Sequence, residues 1–267
     1  MPSSSNARPT EDRRGQILQE VLRSQFVTVA SLARQFNLSE VSIRRNLEQL
    51  ELAGLIKRVH GGAQALTRPG QPSVYDARLL HRIAEKRAIG QAAAALIRPG
   101  ETLFLDSGTT VLEVARAIPE ALLERGGLTL VTRSLVIAGE LRRYRQVRLI
   151  VLGGIYVHDF DDFVGTQVET ALGGLHVNIL FIGTDGVSPE RGLTTDNVLE
   201  AGLFRQMAAA AERVVVVTDS GKIGLDRLQT ILPFEDIHTF ITDAGAPAGF
   251  VQMLKEKGVS VLLAPGA

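Results

Sequence analysis

Apolar positions divide the chain into two regimes: helical spacing through residues 12–52, and short, nearly continuous apolar runs from residue 102 onward. Ile17, Leu18, Val21 and Leu22 lie one and four residues apart, the stripe of a helix over 12–24. Val29, Leu32, Ala33 and Phe36 share one face of a second, short helix, capped by Thr28 and ended by Asn37, which tolerates the left-handed conformation. Ser39 is the next N-cap. Val41, Leu47, Leu50 and Leu52 are the packing positions predicted for a third helix that stops at Ala53 and Gly54. Residues 55–63 then read as an apolar strand turning into a basic, glycine-rich tip. Two helices around a tight turn, followed by a hairpin, predict a small α+β winged helix-turn-helix domain over 12–66, preceded by a disordered tail over 1–11.

The third helix carries Ser39, Glu40, Ser42, Arg44 and Arg45 in its first two turns, where a recognition helix presents side chains to base edges and phosphates in the major groove. Lys57, Arg58 and His60 lie on the hairpin, placed for contacts to the DNA backbone. The expected partner is double-stranded operator DNA.

Pro, Gly and polar residues concentrate over 67–73, so a linker is expected over 67–80. One long helix is predicted over 75–97, with Arg87, Ile89 and the alanine run 92–95 near its end and Pro99-Gly100 as its stop.

Beyond residue 102 the runs TLFLD, LTLVT, VRLIVLGG, VNILFIG, RVVVVTD, HTFITD and VSVLL alternate with helical segments. Strands this uniformly apolar are buried on both faces, which predicts a mostly parallel, Rossmann-like α/β domain over 81–267 with ligands at the carboxyl ends of its strands. The polar residues cluster at those ends. Asp106, Ser107, Gly108, Thr109 and Thr110 lead from the first strand into a helix N-terminus, an arrangement suited to an anion. Thr132, Arg133 and Ser134 end the second strand, Gly153 and Gly154 the third, Asp185 follows the fourth, and Lys222 follows the fifth. Arg133 and Lys222 are expected to offer charge to a phosphate, while Asp185 and Asp196 accept hydrogen bonds from sugar hydroxyls.

Composition narrows the function classes. The chain has 267 residues, 45% apolar and 22% charged, enough for two domains with real cores. It has no cysteine and only five histidines, so disulfides, thiolate chemistry and a metal site are not expected, and no cofactor is predicted. No apolar stretch is long enough to span a bilayer and the amino end lacks a signal-peptide core, so a cytoplasmic protein is expected. Net charge is zero, with nine Arg and Lys against six Asp and Glu in residues 1–66, a surplus too small to argue nucleic-acid binding without the motif.

The segment TVASLARQFNLSEVSIRRNLEQLELAGLIKRVHGGA resembles the N-terminal domain of the DeoR family of bacterial regulators, with Asn46 where the family usually has Asp. The order DSGTT, VTRSLVIA, LGG, GTDGVSPERGLTTDN, LEAGLFRQM and TDSGK resembles the sensor domain of the same family, adding Glu200 to the candidate effector residues. Arg133 stands where the family normally has Asn. The resemblance, closest to regulators of amino-sugar and sugar-phosphate catabolism, implies a repressor released from its operator by a phosphorylated sugar. A homodimer or homotetramer is expected, its dimers formed through the C-terminal domains and presenting paired recognition helices to half-sites about one DNA turn, roughly 34 Å, apart or a multiple of that.

The same domain also resembles ribose-5-phosphate isomerase, so an aldose-ketose isomerase is the rival reading. Asp196 stands where the isomerase has its catalytic Glu, and no lysine occurs between Asp185 and Asp196 to match the one before the glycine run. A shortened base and a missing cation argue for a ligand site without turnover. A third reading makes the second domain an oligomerisation module only. Induction and co-repression both stay open.

Overall fold

The first amphipathic segment becomes helix α1, Thr10–Ser24, in the computed structural model, which describes residues 10–52, 55–65, 73–198 and 200–266. It begins inside the stretch expected as a tail. Strand β1 (Phe26–Thr28) leads into α2 (Val29–Phe36), whose start is a capping box: the Ser31 amide donates to Thr28 Oγ1 at 3.0 Å and the Thr28 amide to Ser31 Oγ at 3.2 Å. Asn37 ends α2 with φ 52° and ψ 53°, as the sequence predicts.

Helix α3 (Glu40–Leu52) follows, then strands β2 (Lys57–Val59) and β3 (Gly62–Gln64), and helix α4 (Val74–Leu80). The three strands form an antiparallel sheet in the order β1-β3-β2, so β2 and β3 are the predicted hairpin and β1 is an unanticipated third strand. Ile17, Leu18, Val21, Leu32, Ile43, Leu47, Leu50, Ile56 and Ala77 make one core.

Two expected packing positions of α3 are instead exposed, Val41 at 77% and Leu52 at 76%. The buried stripe is Ile43, Asn46, Leu47 and Leu50, which recurs at three and four residues, and Val41 and Leu52 fall out of that phase. The expected stop at Ala53 and Gly54 lies outside the described residues.

The helix expected over 75–97 is two helices. α4 ends at Leu80, His81 is extended, Arg82 takes a left-handed φ of 51°, and α5 starts afresh as Ile83–Ala94. The break places Ala77 and Leu80 on the core beneath α1, and no Gly or Pro marks it in the sequence. Of the expected linker, residues 67–72 lie outside the described residues and 74–80 are α4.

The chain divides into two compact units between Ile83 and Ala84. In the second unit, α5 is followed by β4 (Thr102–Leu105), α6 (Thr109–Ala117), α7 (Glu120–Glu124), β5 (Thr129–Thr132), α8 (Leu135–Leu141) and β6 (Arg148–Val151). A hairpin of β7 (Ile155–Val157) and β8 (Asp162–Val164) precedes α9 (Thr166–Leu172), β9 (Val177–Ile182), β10 (Gly186–Ser188), β11 (Gly192–Thr195), α10 (Ala201–Ala209) and β12 (Ala211–Val217). The chain ends with β13 (Gln229–Leu232), β14 (Thr239–Asp243), α11 (Ala248–Glu256) and β15 (Ser260–Ala264).

The seven predicted apolar runs form one parallel sheet in the order β15-β14-β12-β9-β4-β5-β6. Phe104, Leu180, Val214, Val216 and Phe240 pack with Val168 of α9, Phe204 and Met207 of α10, and Phe250 and Leu254 of α11. The alternate residues Leu103, Leu105, Ile179, Phe181 and Val215 are buried as well, so both faces are covered. A small antiparallel sheet, β10-β11-β13, and the β7–β8 hairpin were not anticipated. No helix among the described residues is long and apolar enough to cross a membrane.

Candidate functional site

In the first unit, α3 and the β2–β3 hairpin hold the residues expected to meet DNA. Ser39 caps α3: the Ser42 amide donates to Ser39 Oγ at 3.2 Å, and the two hydroxyls lie 3.0 Å apart. Glu40 and Arg44, one turn apart, form an exposed ion pair at 2.8 Å. Arg45 is exposed and has no ion pair among the described residues. Asn46, where the DeoR pattern has Asp, is buried and donates from Nδ2 to the Ser42 carbonyl at 2.8 Å, a bond that an ionised carboxylate cannot make.

Lys57, Arg58 and His60 are exposed on the hairpin. The Arg58 amide donates to Glu51 Oε1 at 2.8 Å, tying the hairpin to the end of α3. Gly62 lies so close to the Val27 carbonyl that a Cβ there would collide with it, which is why this strand pairing takes glycine.

In the second unit, the strand order reverses between β4 and β9, and the crevice beyond their carboxyl ends is where open α/β sheets bind ligands. The Asp106 amide donates to the Phe181 carbonyl at 3.1 Å there, and the chain turns through Ser107 and Gly108 into α6. Gly108 takes φ 110°, a conformation reserved in practice for glycine, and caps α6 without a side-chain hydrogen bond. The first amides of α6 therefore have neither an intrahelical acceptor nor a capping side chain.

Arg133 reaches into this place from the end of β5. Its Nε donates to Asp106 Oδ1 at 2.7 Å, its Nη2 to Ser107 Oγ at 2.9 Å and to Glu200 Oε1 at 3.0 Å, and its Nη1 to the Phe163 carbonyl at 3.3 Å. The carboxylate of Asp162, on β8, lies 2.7 Å from Nη1 but off the N–H direction, so neither of its oxygens accepts a hydrogen bond. The guanidinium is 0% exposed and stands 5.7 Å from the centre of the Phe204 ring.

One cation thus faces three buried carboxyl groups. Burial, the largest effect, pushes the Asp106 carboxyl up against the pull of Arg133. Burial likewise raises Glu200 to about 7, against Arg133 and with help from Asp162 and Asp106. The Arg133 guanidinium itself is raised by its carboxylates, although burial opposes it.

The structure thus brings Asp106, Ser107, Arg133 and Glu200 into contact, beside Gly108, Thr109 and Thr110. Arg133, expected to offer charge to a phosphate, instead directs its donors to internal partners. Thr132 and Ser134 serve the local turn: the Ser134 amide donates to Thr132 Oγ1 at 3.0 Å, and Ser134 Oγ caps α8 by accepting from Ile137 at 3.3 Å. Gly153 and Gly154 follow β6, and a Cβ on Gly154 would stand 2.5 Å from the Val164 carbonyl. Asp185 accepts from Thr195 Oγ1 at 2.9 Å. Asp196 is exposed and held by Arg227 at 3.3 Å and the Leu228 amide at 3.2 Å. Lys222 ends a half-buried single turn, Ser220–Lys222. Asp162 was missed: it sits in the unpredicted hairpin, and no spacing connects it to Arg133.

A helix-turn-helix with a winged hairpin, joined in one chain to a doubly wound α/β unit with a polar switch point, defines a transcriptional regulator with a ligand-binding type of fold. Residues 13–68 match the DeoR-like helix-turn-helix domain, and residues 81–244 the DeoR C terminal sensor domain. The chain belongs to the DeoR family of transcriptional regulators.

It is 37% identical over 95% of its length to a protein of Escherichia coli O157:H7 named for transcriptional repression of the aga operon, covering 94% of that protein. It is 34% identical to the HTH-type transcriptional regulator GlpR of Haloferax volcanii, over 94% of this chain and 96% of that one. It is 32% identical to the transcriptional repressor AccR of Agrobacterium fabrum, over 93% and 95%. These relatives are regulators, and the protein is a repressor of this family rather than an isomerase. Among solved structures it is similar to the sorbitol operon regulator SorC of Klebsiella pneumoniae, with a TM-score of 0.38 and 11% identity over 92% of this chain and 99% of that one. A ribose 5-phosphate isomerase of Methanocaldococcus jannaschii matches with a TM-score of 0.37 and 17% identity over 52% and 53%.

Proposed function

We propose that the protein represses a carbohydrate catabolic operon and that a phosphorylated sugar, bound at the β4–β9 switch point, releases it from its operator. The observation that carries this reading is the loop 106–110. Uncapped amides at the start of α6, the Ser107, Thr109 and Thr110 hydroxyls and the φ of 110° at Gly108 form a cradle for a phosphate. Glu200, Asp106 and Asp185 supply acceptors for sugar hydroxyls, with Arg133 fixing the first two. In the first unit, Ser39, Ser42 and Arg45 face base edges and phosphates, Lys57, Arg58 and His60 the backbone, and Arg44 acts with its charge partly balanced by Glu40. Homodimers or homotetramers present paired recognition helices. The effector must bind one state of the repressor better than the other, since equal affinity shifts nothing.

A thermal-shift screen of hexose, pentose, amino-sugar and triose phosphates tests the effector class, because a ligand in excess of its Kd raises apparent stability. One class should raise the Tm and weaken DNA binding in a gel shift. The excess of carboxylates around Arg133 favours a second reading, in which this unit only assembles the oligomer. No shift with any sugar phosphate, together with unchanged DNA binding, would establish that second reading.

A further inference from the structure

The recognition helix carries an apolar side chain that serves no core. Val41, in the first turn of α3, is 77% exposed. Successive helical residues turn by about 100°, which places Val41 roughly opposite the buried stripe of Ile43, Leu47 and Leu50 and between Arg44 and Arg45. A β-branched residue is a poorer helix former than Ala, Glu or Lys, so helix propensity does not account for it either. The same turn holds Ser39 and Ser42, whose hydroxyls are engaged with each other and with the helix start.

We infer that Val41 is a specificity-determining residue, which packs against the 5-methyl group of a thymine in the major groove of the operator. The inference rests on the DNA-binding reading of α3. Of the four bases, thymine alone presents a methyl group in that groove, and small apolar side chains are what contact it. The basic neighbours anchor the helix to phosphates on either side, leaving the apolar tip against a base edge. Val41 then determines which base is accepted at one position of each half-site, and the arginines contribute chiefly affinity.

The test uses full-length protein and a duplex that it enriches itself from a random-sequence library. Each thymine is replaced in turn by deoxyuridine, which lacks only the methyl group, and Kd is measured for the wild type and for V41A. At one thymine of each half-site the wild type should bind the deoxyuridine duplex about fourfold more weakly, the equivalent of one methyl group returned to water. V41A should bind the thymine duplex more weakly by a similar factor and treat thymine and deoxyuridine alike there. Because the side chain is exposed and Ala is the better helix former, the thermal unfolding of V41A should fall at or slightly above that of the wild type. A wild type indifferent to every replacement, or a V41A that keeps the wild-type ratio, would overturn the inference. Failure to enrich any sequence would instead overturn DNA recognition by α3, and this role of Val41 with it.

Discussion

Arg133 Nε donates to Asp106 Oδ1 at 2.7 Å, joining the ends of β5 and β4 inside the second unit with both side chains withdrawn from water. The pair is one edge of a larger cluster, since the same guanidinium also meets Asp162 and Glu200. Removing one member of a buried charge cluster is costly because the others are left unpaired.

Arg133→Ala should therefore destabilise the protein by about 3–5 kcal/mol. Adding Asp162→Asn to it should restore part of that loss, since one buried charge disappears with the guanidinium, and the two substitutions should be non-additive. Urea unfolding of the two single variants and the double variant measures this. Additive losses would mean that the two side chains do not interact.

Glu200 should make stability depend on pH. Its carboxyl is raised from 4.5 to about 7, so the folded chain holds that proton more tightly than the unfolded chain does. The resulting stabilisation is fully present below the ordinary carboxyl range and is lost as pH rises through about 7. Between pH 5 and 8 the wild type should lose up to about 3 kcal/mol relative to Glu200→Gln. Parallel stability curves for the two proteins over that interval would refute the assignment.

Arg45 has no ion pair among the described residues, and Arg44 is balanced by Glu40. Arg45→Ala should lower the slope of log K against log salt by about one unit, as expected for one lost phosphate contact, and Arg44→Ala should lower it by less. Glu40→Ala should tighten non-specific binding. Filter binding over a series of salt concentrations distinguishes these effects.

Asn37 holds a left-handed conformation at the end of α2, with φ 52°. Asn37→Ala should cost about 1 kcal/mol, because a Cβ without a polar side chain has no compensation there, whereas Asn37→Gly should be tolerated. Thermal unfolding monitored by circular dichroism provides the comparison. A fully stable Asn37→Ala would mean that the turn can take another conformation.

What the sequence determined by itself was local in origin. The cap at Thr28, the left-handed stop at Asn37 and the seven apolar runs of the parallel sheet each follow from neighbouring residues: a hydroxyl near free amides, a short amide side chain, and strands apolar on both faces. The loop 106–110 was legible for the same reason, because a strand end, a glycine and a helix start are consecutive. Tertiary structure decided the rest. The phase of α3 put Val41 in solvent and Ile43 in the core, although both are β-branched apolar residues of one segment. Packing of Ala77 and Leu80 beneath α1 split the helix expected over 75–97 at residues that carry no breaker. Above all, Arg133 reads in sequence as a charge at a strand end, and its real surroundings come from Asp106, Asp162 and Glu200. Those residues lie on separate elements, far apart along the chain. Burial raises the Asp106 and Glu200 carboxyls, and only the folded chain creates that burial.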